Sequence, residues 1–183
     1  MKTNTIIAEI SSCSEIPDFT STRKAGLARL ASFSERAGDL YDRCRNYDLG
    51  PDKRANVSVL SPWIRHRLIT ETEVLNAALN AQNFETAERF VHEVFWRTYF
   101  KGWLEHYPTV WPAYQAGLFR QLASVDKDRR LAANFSSATL GETGIGCFDA
   151  WARELVTYGY LHNHARMWFA SIWIFTLRLP WAL

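Results

Sequence analysis

Three short stretches of this 183-residue chain space polar and aromatic side chains so that each set shares a surface. In Glu93-Val94-Phe95-Trp96-Arg97-Thr98-Tyr99-Phe100, a helical reading puts Glu93, Trp96, Arg97 and Phe100 at i, i+3, i+4 and i+7 on one face. An acid, an indole and a guanidinium do not make an ordinary core stripe. They offer a hydrogen-bonding edge, a stacking plane and a permanent charge. The alternative is a surface ion pair, Glu93 with Arg97, beside a partly buried Trp, worth only a few tenths of a kcal/mol. In His162-Asn163-His164-Ala165-Arg166-Met167, the residues Asn163, Arg166 and Met167 repeat the i, i+3, i+4 spacing. A carboxamide both donates and accepts, and an Arg favours a nearby negative charge. Met167 is either an adaptable apolar contact or core filling. In Asn56-Val57-Ser58-Val59-Leu60-Ser61-Pro62-Trp63-Ile64-Arg65, Ser61 reads as an N-cap and Pro62 as the first helical residue. Free N–H groups at such a start suit a phosphate, and Ser58 and Ser61 add hydroxyls; the other reading is a plain cap.

The elements that must position these residues are helices. From Thr22, the residues Leu27, Leu30, Phe33 and Ala37 recur at threes and fours. Gly50-Pro51-Asp52 is a turn. Asn83 caps a helix running to about His106, with a spine of Phe84, Ala87, Val91, Val94 and Thr98. Pro108 and Pro112 punctuate, and residues 124–146, polar and Gly-containing, read as a long connection. Two helices close the chain, roughly 147–158 and 162–178. No period-2 strand is visible, so the class is all-α. Residues 1–20 read as a loose lead-in and 21–183 as a single domain, long enough to bury a sizeable core.

Composition narrows the chemistry. Hydrophobic residues are 48% and charged residues 22%, ordinary for a globular protein, but eight Trp is a heavy load. Each fills a core, stacks on a flat ligand, or passes a hole to another indole. A net charge of +2 permits nucleic-acid binding without arguing for it. After Glu154 there is no acid, while His162, His164, Arg166 and Arg178 remain. That face either meets phosphates or holds cations that lack partners. Cys13, Cys44 and Cys147 have no metal-ligand spacing, which points away from a metal site and towards reduced thiols in a cytoplasmic protein. The N-terminal residues carry no apolar signal core, and the run 167–177 is too short to span a bilayer.

The TGxxxxDA turn Thr143–Ala150 followed by the HNxxRM stretch His162–Met167 resembles the flavin-binding domain of the photolyase/cryptochrome family. The stretch from Asn56 is similar to that family's TSxLSPYL segment: Ser58, Leu60 and Ser61 match, and Val57 stands where a Thr is usual. The stretch from Glu93 is similar to its ELIWRDFY helix. The resemblance covers roughly residues 25–183, with the motifs in order. Departures are His164 for a common Arg, Gly146 for a common Pro, and Trp151 for a small residue or Met.

The resemblance implies a helical FAD-binding domain of photolyase/cryptochrome type, incomplete at its C-terminus. It implies FAD contacts from Tyr41, Ser58, Leu60, Ser61, Arg97, Asn163 and Arg166. It places Glu93, Trp96, His164 and Met167 against UV-damaged DNA, with Glu93, Asn163 and Met167 in catalytic roles. The implied reaction is light-driven electron transfer from reduced FAD to a cyclobutane pyrimidine dimer, a carbon–carbon lyase chemistry. Trp181 matches the middle of the family's three-Trp relay. No Trp lies in 120–140, where the outer one usually sits. The family's inner relay Trp, its C-terminal flavin contacts and its antenna domain have no counterpart in these residues. Two other readings are a cryptochrome-like FAD light sensor without repair and a flavin-free helical interaction module. For the latter, the apolar end Pro180-Trp181-Ala182-Leu183 would receive a protein partner or a missing segment.

Overall fold

The computed structural model describes residues 19–183. The lead-in expected over residues 1–20 lies outside them except for Phe19 and Thr20, and Cys13 lies outside them too. The described residues form helices and loops with no β-strand among them, in keeping with the all-α expectation. They divide into two compact units, the first ending at Trp103 and the second spanning Leu104–Leu183.

The first unit contains α1 (Arg23–Ser34), α2 (Asp39–Cys44), α3 (Ser61–Arg65), α4 (Glu71–Ala81) and most of α5 (Phe84–His106). α1 starts where the Thr22 hydroxyl accepts from the Ala25 N–H at 3.2 Å. Of its expected apolar spine, Leu30, Phe33 and Ala37 are buried, whereas Leu27 faces outward. α4 opens with a capping box: the Glu73 N–H donates to Thr70 Oγ1, and the Thr70 N–H donates back to Glu73. α5 is capped as expected, with Asn83 Oδ1 accepting from the Thr86 N–H at 2.9 Å. Its inward face differs from the expected spine. Phe84 and Thr98 are exposed, and Phe90 is buried because it packs edge-on against Tyr41 at 5.2 Å and tilts against Phe33 at 5.2 Å.

The start of α3 also differs from expectation. Leu60 holds the cap position in helical conformation, so Ser61 is the first helical residue, makes no capping bond, and leaves Pro62 second. Leu60 itself is 1% exposed, in the core. Pro62 is harmless in second place because the first-turn N–H groups have no intrahelical acceptor. Trp63 anchors the unit, stacked on Phe19 and donating from Nε1 to the Thr20 carbonyl at 3.0 Å. A Cβ on Gly26 would lie 2.9 Å from its ring, so α1 needs glycine at that crossing.

The second unit contains α6 (Val110–Lys127), α7 (Arg129–Leu140), α8 (Gly146–Tyr158) and α9 (Asn163–Ser171), which runs into a π-helical turn at Ile172–Thr176. The long connection expected over 124–146 is therefore mostly helix. Asp128 caps α7 by accepting from the Arg130 and Leu131 N–H groups, and Gly141 closes it at φ +69°. Ala138 is buried, and Leu131 and Phe135 pack on the same core. Pro112 does not punctuate but sits in the first turn of α6. The core is Ala138, Phe148, Ala152, Trp173 and Leu179, with Phe148 stacked on Phe169 at 4.3 Å. No helix among the described residues is long and apolar enough to cross a membrane.

Candidate functional site

In the first unit the candidate residues gather around a loop that is held from inside. Arg29, 7% exposed, enters from α1 and donates to three loop carbonyls: Ser58 at 2.8 Å, Val57 at 2.9 Å and Arg54 at 3.1 Å. Asn56, also buried, donates to the Cys44 and Tyr47 carbonyls at 2.8 Å each. The carbonyls at 54, 57 and 58 are thus drawn inward. The Ser58 and Ser61 hydroxyls, both half-buried, are not engaged by another described residue. Between them Val59 holds φ +56°, a left-handed conformation that a β-branched residue seldom adopts. The Leu60 side chain is sunk in the core, so only its backbone is left for a ligand.

One further expected residue, Tyr41, and one unexpected one, Arg45, lie upstream of this loop in the chain. Tyr41 is 9% exposed, with its ring edge-on to Phe33 and Phe90, and belongs to the core. Arg45, four residues on, donates to Glu93 Oε1 at 2.6 Å. That pair ties the end of α2 to α5, and it gives the Glu93 carboxylate a partner from outside its own helix. Arg45 Nε is buried and meets no acceptor. A buried donor without a partner is costly, so this atom is open to an acceptor that a ligand would bring. Neither Arg45 nor Arg29 was among the site residues that the sequence singled out.

α5 carries the expected face. Trp96 is 53% exposed, edge-on to Tyr99 at 5.4 Å and tilted against Phe100 at 6.2 Å. Arg97 is half-buried on the same helix. The outcome is an exposed aromatic surface with Glu93 at its upstream end, able to stack on a flat group and accept hydrogen bonds from it.

In the second unit, the TGxxxxDA turn closes on itself. Asp149 Oδ1 accepts from the Thr143 hydroxyl at 2.7 Å and N–H at 2.9 Å, and Oδ2 accepts from the Gly144 N–H at 2.9 Å. The Thr143 hydroxyl foremost, then the two N–H groups, hold the Asp149 carboxyl below its usual range against the opposing effect of burial. This motif clamps the loop before α8. On α9, Asn163 Oδ1 accepts from Arg166 Nη2 at 2.8 Å, and both side chains are exposed. Met167, 63% exposed, does not fill a core. His164 is half-buried, and its Nδ1 is buried without a hydrogen-bond partner. Trp181 is exposed and lies 6.0 Å from Tyr114, whose ring is 5.5 Å from Trp111. Sequence distance hid that aromatic row. Asn163, His164, Arg166 and Met167 stand together on α9, and Trp181 stands apart with α6.

Residues 90–183 match the profile of a family described as the FAD binding domain of DNA photolyase. A deoxyribodipyrimidine photo-lyase of a Synechococcus species is 27% identical over 164 residues, covering 86% of this chain and 32% of the relative. One from Neurospora crassa is 32% identical over 164 residues, 86% of this chain and 26% of the relative. A cryptochrome DASH from Natronomonas pharaonis is 29% identical over 172 residues, 90% of this chain and 34% of the relative. The chain thus spans about a third of the length of the curated relatives it matches. No solved structure matches it.

Proposed function

Because this chain belongs to the family of the FAD binding domain of DNA photolyase, we propose that it takes FAD and serves light-driven repair of a cyclobutane pyrimidine dimer in DNA. The observation that carries the reading is the 54–61 loop. Its carbonyls at 54, 57 and 58 are turned onto Arg29, while the Ser58 and Ser61 hydroxyls are left unengaged. A pyrophosphate needs donors and is repelled by carbonyl oxygens, and this loop meets both conditions. Arg45 Nε, buried and unpartnered, is a further candidate donor, with the Arg45 charge met by Glu93. In the second unit, Asn163 orients Arg166, and that guanidinium favours the anionic form of a reduced flavin ring. Bound there, a reduced flavin would supply light-driven one-electron chemistry, the electron going to the dimer and returning to the flavin.

The chain's own residues do the rest. Trp96 gives a stacking plane worth about 1–3 kcal/mol per base, which offsets much of the few kcal/mol that extruding a base costs. Glu93 accepts a hydrogen bond from a base edge while Arg45 holds it in place. Met167 gives an apolar contact to the lesion, and His164 a donor to a phosphate. The cryptochrome-like alternative, a sensor without repair, draws on the relatives named cryptochrome DASH.

Substituting Trp96→Ala tests the assignment. Affinity for dimer-containing DNA should fall about fivefold or more while bound flavin is unchanged. Equal loss of both would contradict the separate roles, and flavin binding with no light-dependent dimer splitting would favour the sensor.

A further inference from the structure

The second unit holds a cleft of about 700 Å³ that the flavin and lesion residues do not use. Arg130, on the first turn of α7, and Arg178, just past the π-helical turn, both line it. Neither guanidinium has an acidic partner among the described residues. Asn134, Ser137 and Thr176 add amide and hydroxyl groups, Asp128 and Glu142 add two carboxylates, and Leu131 and Leu177 form an apolar part of the wall. The wall is built on unusual backbone. A π-helical turn ends in it, and Arg178 holds φ +54°, a left-handed conformation that Arg adopts at a cost.

We propose that this cleft binds a small phosphate ester carrying hydroxyls, a sugar phosphate in kind, with Arg130 and Arg178 on the phosphate. Guanidinium forks match phosphate oxygens in pairs. The volume suits one small ligand. Glu142, with Asn134 and Ser137 nearby, accepts from sugar hydroxyls, as acidic residues do from a ribose diol. Glu142 and Asp128, at opposite ends of α7, put carboxylates along the cleft that repel a continuous phosphodiester backbone, so the occupant is compact rather than a nucleic acid.

Calorimetric titration of the full chain with ribose 5-phosphate, and with inorganic phosphate and adenosine 5′-monophosphate alongside, tests this. Saturable binding of ribose 5-phosphate is expected. Arg130→Gln and Arg178→Gly should each weaken it about tenfold or more. Glycine relieves the left-handed backbone, so Arg178→Gly should melt no lower than the parent, which separates lost binding from lost folding. Glu142→Gln should weaken ribose 5-phosphate and spare inorganic phosphate. The Ser58→Ala, Ser61→Ala double variant should bind ribose 5-phosphate as the parent does, so this site stands or falls apart from the flavin site. Tighter binding of the nucleotide would mark a nucleotide as the source, and equal binding a free sugar phosphate; either supports the cleft. No saturable binding, binding that survives both Arg substitutions, or displacement by a short DNA duplex at lower concentration than by the monophosphate would overturn the proposal.

Discussion

Arg29 is 7% exposed and still carries its charge into the first unit, where the carbonyls of Arg54, Val57 and Ser58 receive it. Replacing it by Met keeps the length and removes every donor. Three inward carbonyls would then be left without partners, each at about 1–3 kcal/mol, so Arg29→Met should lower unfolding stability by about 3 kcal/mol or more in urea denaturation. A loss under about 1 kcal/mol would mean the loop does not depend on this residue. Ser58 and Ser61 stand out in the sequence as hydroxyls beside a helix start, and neither caps α3 in the structure. Arg29 was not legible there, because an arginine on an amphipathic helix reads as solvent-facing. It lies three and four residues from Gly26 and Phe33, which are both buried, and that placement is the signal it left.

The first-turn carboxylates set the acid limit of two of the helices. Glu73 closes the capping box of α4 and pairs with Arg23, and these bonds, the Arg23 contact foremost, bring its pKa down to about 2. Asp149, clamped by Thr143 and Gly144 at α8, is lowered too. A carboxylate whose folded value lies below its unfolded value of about 4 adds stability above that pH and loses it as the pH falls through the folded value. The melting-temperature gap between the parent and Glu73→Gln should therefore be widest above about pH 5 and shrink towards pH 2. A gap that stays constant over that range would show that the charge is not what matters. α7 is the element that the sequence concealed. Arg129, Arg130, Asn134, Ser136 and Ser137 make its composition loop-like, although Asp128 and Gly141 mark both of its ends and Leu131, Phe135 and Ala138 keep a helical stripe. Polar content outweighed periodicity because only one narrow face of α7 is buried.

Among the described residues, many aromatics face outward while others fill the two cores. Phe95, Trp96, Tyr99 and Phe100 are exposed in the first unit, and Trp111, Trp168 and Trp181 in the second. Large apolar side chains kept at the surface mark places where flat or apolar partners settle. The fold class and the family were legible because three motifs fell in order on helices. The division into two units was not, since no Pro/Gly-rich linker marks it and the boundary falls inside α5. The central claim is that this chain takes FAD through the loop that Arg29 holds. The measurement is an absorption spectrum of the purified chain, before and after incubation with excess FAD and removal of what is free, with denaturation to release and count the flavin. Stoichiometric flavin in the parent, sharply reduced in the Ser58→Ala, Ser61→Ala double variant, is the predicted result. No retained flavin under either condition, or equal retention by the double variant, would contradict it.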